Sequence, residues 1–141
     1  MEPADLRKRV LRALDEARRH AAAHREEAER AGQAFDRLQP EIAALWRQVA
    51  NVLKVEGHPY TINTPAGSVR FASERWPESF VEVTLDTTRR PVAVIGRTVF
   101  ARGREGIDRE AVVAEAAELA TVEAERWVEF LARELEPFLE R

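Results

Sequence analysis

From residue 10 to residue 52 apolar side chains recur at alternating steps of four and three: Val10, Leu14, Ala17, Ala21, Ala28, Ala31, Phe35, Leu38, Ile42, Leu45, Val49 and Val52. His24 is the single polar member of the series. This period predicts a helix that presents one narrow stripe to a partner helix. Pro3 to Asp5 is a plausible start, and Gly57 follows the last apolar turn as a stop. A straight helix over 10–52 would be roughly 65 Å long at ~1.5 Å per residue. A compact chain of this length has a radius of gyration of about 14 Å. The helix therefore has to bend, project or pair with another chain. Pro40 is the place to bend, yet the stripe keeps register from Leu38 to Ile42 across it. That predicts one arm kinked at Pro40, or two abutting helices with Pro40 in the first turn of the second.

The texture changes at His58. Short alternating runs over 58–63, 68–73, 79–86 and 91–102 predict four strands. Thr64-Pro65-Ala66-Gly67 forms a good turn between the first two. Such short connections favour an antiparallel meander. Gly96 in the fourth run marks a bulge or a close backbone approach. Asp108 then reads as an N-cap, with Ile107 and Val112 placed as a staple. A stripe through Val113, Ala117, Ala120, Ala124, Trp127 and Leu131 predicts a helix over 108–141, with Pro137 disturbing its last turn. The expected fold is α+β: a long N-terminal helix, a four-stranded antiparallel meander and a C-terminal helix. One domain spans 1–141, divided into a coiled-coil-like arm (1–56), the meander (57–107) and the final helix (108–141).

Composition changes this picture little, but charge distribution adds to it. The net charge of −3 hides a gradient. Residues 1–55 carry 11 Lys/Arg against 9 Asp/Glu, residues 56–107 carry 7 against 6, and residues 108–141 carry 4 against 10. An acidic last third and a mildly basic first third attract each other within or between chains. Exposed pairs are worth only ~0–1 kcal/mol each, so they select partners rather than drive folding. There is no cysteine, which excludes disulfides and thiolate metal sites and fits a reducing, cytoplasmic setting. No apolar run approaches ~18 residues, and charges throughout residues 1–20 do not read as a secretory signal.

Candidate chemistry is sparse. His20 and His24 stand four apart on one helix face with Glu27 a turn away, a spacing that metal ligands use. With no fourth ligand in sequence, they read as a histidine pair flanking the stripe. Arg97, Arg102, Arg104 and Arg109 gather around Gly103 and Gly106 where the last helix is expected to begin, an arrangement that can hold phosphate. Glu105, Asp108 and Glu110 oppose an anion there. Arg70, Arg75, Trp76 and Arg97 on or beside strands suggest a nucleic-acid surface. Glu74, Glu78, Glu82 and Asp86 thin its positive field. Three serines, no cysteine and no nucleophile elbow, phosphate loop, dinucleotide fingerprint or HExxH argue against an enzyme and call for no cofactor.

The plan of coiled helix, two β-hairpins and coiled helix, carried by segments such as Ser79 to Leu85 and Val92 to Gly96, resembles the α-type subunits of prefoldin. The resemblance implies hairpins that assemble into a platform and helical arms that grasp unfolded chains. This chain departs from it in a final helix shorter than the first and in Pro40. Small helix–meander–helix nucleoid proteins share the same plan. The expected function is protein–protein association, as an oligomeric adaptor or holding module with a second copy as first partner. Leu14, Ala21, Ala28, Phe35 and Leu38 are the predicted contact residues. Nucleic-acid binding is the alternative.

Overall fold

A computed structural model describes residues 1–102 and 105–140. One helix, α1, runs without interruption over Pro3–Val55, with Pro40 inside it. Pro3 occupies its first turn, where a missing amide hydrogen costs nothing. The chain leaves α1 through Gly57 at φ +87°, and the His58 amide donates to the Leu53 carbonyl at 2.8 Å. That left-handed step is open to glycine without steric penalty.

Five strands follow: β1 (Tyr60–Asn63), β2 (Val69–Ser73), β3 (Phe80–Asp86), β4 (Ala93–Arg102) and β5 (Glu105–Glu115). They pair in chain order as an antiparallel sheet. The turn expected at 64–67 is a 3-10 turn over Pro65–Gly67 with Ala66 at φ 48°. After β5 a second 3-10 turn, Ala116–Glu118, leads to helix α2 (Ala124–Leu139).

The meander thus has five strands rather than four, and the last helix begins at 124 rather than 108. Residues 108–115 read as helix because Val112 and Val113 begin a run that continues at helical steps through Ala116, Ala117 and Leu119. A short apolar run does not distinguish the two periods. The sheet decides the matter. Without β5, the ten-residue β4 would leave a row of unpaired amides and carbonyls along its edge. Asp108 accordingly lies opposite Val99 in the ladder and caps nothing. A register shift at Val94/Ile95 leaves Val113 between the partners of those residues, and both Val113 and Ala114 are buried.

Both helices cover one face of the sheet. α1 lies over β1, β2 and β3, and α2 over β3, β4 and β5. Trp46 sits edge-on to Phe71 with centroids 6.2 Å apart, and its indole N–H donates to the Trp127 carbonyl at 3.2 Å, tying the helices together. On α2 the buried positions are Trp127, Phe130, Leu131, Glu134, Leu135 and Phe138, one face of a helix. Gly96 is the close approach that its place in a strand suggested. A Cβ there would lie 2.1 Å from Cζ of Phe130, so the Phe130 ring rests on bare backbone. The buried carboxylate of Glu134 accepts from the Arg109 guanidinium on β5. Among the described residues no helix is long and apolar enough to cross a membrane.

Candidate functional site

The two ends of α1 live in different surroundings. Residues 31–50 supply Ala31, Ala34, Phe35, Ile42, Ala43, Trp46 and Ala50 to the core. Every residue from 1 to 20 is exposed. The helix first touches the body at His24 and Glu27. The His24 Nε2–H donates to the Thr87 carbonyl at 2.8 Å, and Glu27 Oε1 accepts from the Val92 amide at 2.6 Å. Both partners belong to the connection between β3 and β4. Residues N-terminal to this anchor form a projecting arm, about 30 Å long for some twenty residues at ~1.5 Å each.

On that arm Leu6, Val10, Leu11 and Leu14 are 54, 57, 51 and 43% exposed. Leu6, Val10 and Leu14 stand one turn apart, and Leu11 flanks them, so the four share one face. Arg7, Lys8, Arg9 and Arg12 surround them with no acidic residue between 6 and 14. A single helix of this length is marginal in water. Local support is slight: an Asp15–Arg19 ion pair one turn apart at 3.1 Å, exposed on both sides, is worth ~0.2–0.5 kcal/mol.

The residues predicted for self-association divide accordingly. Leu14 is exposed on the arm, and Ala21 and Ala28 are half-buried near the anchor. Phe35 is spent on the chain's own core at 4% exposure, and Leu38 packs against that core. For these two the stripe is used within the chain's own core. The stripe read from Val10 onward also missed Leu6 and Leu11. The i, i+4 series of Leu6, Val10 and Leu14 was the available signal for the first.

Of the histidine pair and Glu27, two members are engaged by the β3–β4 connection. Among the described residues no three His, Cys, Asp or Glu side chains are grouped as metal ligands. The proposed phosphate cluster is broken up because no helix begins there. Arg97 and Arg109 stand on opposite faces of the sheet, where Arg97 meets Asp108 and Arg109 meets Glu134. Gly103 and Arg104, and the side chains of Arg102 and Glu105, lie outside the described residues.

The residues suggested for nucleic acid separate into two groups. Arg70 and Arg97 share the helix-free face of the sheet, with their guanidinium carbons 4.1 and 5.8 Å from the ring centroid of Phe80. Each is neutralised. Arg70 Nε donates to Glu82 at 2.6 Å, and Arg97 holds both oxygens of Asp108 at 3.1 and 3.0 Å. That fork holds the Asp108 carboxyl below its ordinary pKa and raises the Arg97 guanidinium. Arg75 and Trp76 lie elsewhere. With His58, Tyr60, Phe100 and Phe138 they line a pocket of about 70 Å³ at the end of the helical layer. Its hydroxyls have structural work: Ser73 Oγ accepts from the Trp76 amide, and Ser79 Oγ bridges both backbone groups of Ala101.

A second depression was invisible in the sequence. Between α1 and the segment after β5, a groove of about 410 Å³ is floored by Ala31, Ala34, Ala116, Ala117 and Ala120. Glu27, Arg30, Gln33 and Arg37 form the rim on the α1 side. No family model, no curated protein and no solved structure matches the chain.

Proposed function

We propose that this protein is an association module whose working part is the projecting arm of α1, and that it performs no catalysis. One observation carries this reading: four large apolar side chains on a single helix face stand roughly half exposed beyond the body. Covering such a side chain the rest of the way is worth on the order of 1 kcal/mol. Scattered surface leucines need no explanation, but a continuous apolar face on an isolated helix marks a contact surface. The first partner is a second copy of the chain, which makes the protein an oligomeric adaptor or holding module. Sedimentation equilibrium over a hundredfold concentration range tests this. A mass that rises with concentration supports it, and a monomer at every concentration overturns it.

The gathering of Arg70, Phe80 and Arg97 on the open sheet face favours a second reading, binding of single-stranded nucleic acid. The carboxylates of Glu82 and Asp108 on the same two arginines weigh against it. Phosphate contacts strengthen as salt falls, so absence of binding to a labelled oligonucleotide at ~50 mM salt would end that reading.

A further inference from the structure

The apolar face of the arm lies in line with the side of α1 that the chain's own sheet covers. Leu6, Val10, Ala17, His24, Ala31 and Phe35 follow one another at helical steps of four and seven. From His24 onward that line faces the body: His24 donates to the Thr87 carbonyl, and Ala31 and Phe35 are buried in the core. This restricts how two arms can meet face to face. In a parallel pair each sheet would sit on the side of its helix that faces the partner, so beyond residue 23 both sheets would compete for the space between the two helices. An antiparallel pair has no such conflict, because each body lies beyond the tip of the other's arm.

We propose that two copies pair antiparallel, arm against arm, through residues 1–23 of α1, with the two-fold axis at residue 12 and the two bodies at opposite ends. This inference rests on the reading of the arm as an association surface, and it names the segment that covers it and its direction. The register follows from length. Residues whose numbers sum to 24 stand level, so each tip ends beside residue 23 of the partner, one position before the His24 anchor. Every uncovered turn is then paired, and neither tip runs into a body. Val10 stands level with the partner's Leu14, and Leu6 lies one position from the level of the partner's Ala17. Arg12, at the axis, is two positions from Val10 and so points away from the contact. Charge fits the ends of the pair. The acidic residue Glu2 at each tip comes beside the partner's β3–β4 connection, where Arg89 and Arg90 are exposed with Asp86 close to Arg89. Along one flank Arg9 lies one position from the level of the partner's Glu16, and along the other Arg7 lies one position from that of the partner's Arg18. The first contact attracts and the second repels, so the apolar face and the tips hold the pair. Both halves form at once by symmetry, and the interface is closed and stops at a dimer.

The absence of cysteine lets single cysteines report the direction. Leu6→Cys and Ala17→Cys are both at exposed positions, so neither disturbs the core. In the proposed pair, position 6 of one copy lies beside position 17 of the other. The two copies of position 6 are ~18 Å apart along the axis, and those of position 17 ~15 Å. An equimolar mixture of the two variants is oxidised mildly, and its products are resolved by mass. The expected product is a disulfide-linked pair of one chain of each kind, with several-fold less linked material from either variant alone. If either variant alone links as well as the mixture does, or if the mixture fails to link while the unsubstituted chain still sediments as a dimer, the arms do not pair antiparallel in this register, and the association reading stands without it. If the unsubstituted chain is a monomer at all concentrations, the association reading falls together with this one.

Discussion

The C-terminal half of α1 and its N-terminal arm are written in nearly the same pattern, and they end in opposite conditions. Both show apolar residues at steps of three and four. In the half beyond residue 31 the stripe carries Phe35, Ile42 and Trp46 and meets a sheet whose inner face offers Val69, Phe71, Val81 and Val83. In the arm it carries Leu6, Val10, Leu11 and Leu14 and meets water. Periodicity thus reports that a face wants a cover, and it is silent on whether the same chain supplies one. The charges carry the distinction better. Four cations crowd the arm between residues 7 and 12, whereas the buried half has no charged residue on its inner face.

The contrast can be broken most forcefully at Trp46. Trp46→Ala removes a fully buried ring and the hydrogen bond to Trp127, and should cost about 3–5 kcal/mol in urea unfolding. A loss under about 1 kcal/mol would mean that the covered half is less essential than its burial indicates. Next comes the contact of α2 with the sheet. Gly96→Ala forces a methyl into the Phe130 ring, for an expected loss of about 1–3 kcal/mol. Much of that should return when Phe130→Leu is added, measured as a double-mutant cycle. Thr98 offers an effect of opposite sign. Among the described residues its buried hydroxyl has no hydrogen-bond partner, so Thr98→Val should raise stability by about 1 kcal/mol. The smallest expected effect is on the arm. In dilute monomer Leu11→Ala should change unfolding by less than about 0.5 kcal/mol. In hydrogen exchange the amides of residues 5–20 should exchange far faster than those of 35–50 and become protected as concentration rises.

Legibility in the sequence followed the range of the interaction that fixes each feature. The long helix, its stop at Gly57, the turn at 64–67 and the close approach at Gly96 were readable, because each depends on backbone preferences or on a pattern within a few residues. β5 was not. Residues 108–115 carry a pattern compatible with helix, and only the unpaired edge of β4 pulled them into the sheet. The same shift dissolved the expected N-cap at Asp108 and scattered the arginines gathered beside it in sequence. Of the residues expected to self-associate, Leu14 is exposed on the arm and Phe35 is buried in the chain's own core. No local signal marks the point along α1 at which the sheet begins to cover it.

By itself, then, the sequence determined that the chain opens with a rod longer than a compact body of this size and that short antiparallel strands follow, because hydrophobic period and turn chemistry act locally. Only the tertiary structure decided where that rod leaves the body, which of its apolar residues remain bare, and that an alanine groove lies beside it. Those features depend on which distant strand or helix comes to lie against each face, and strand pairing and layer packing are settled between segments far apart in the chain.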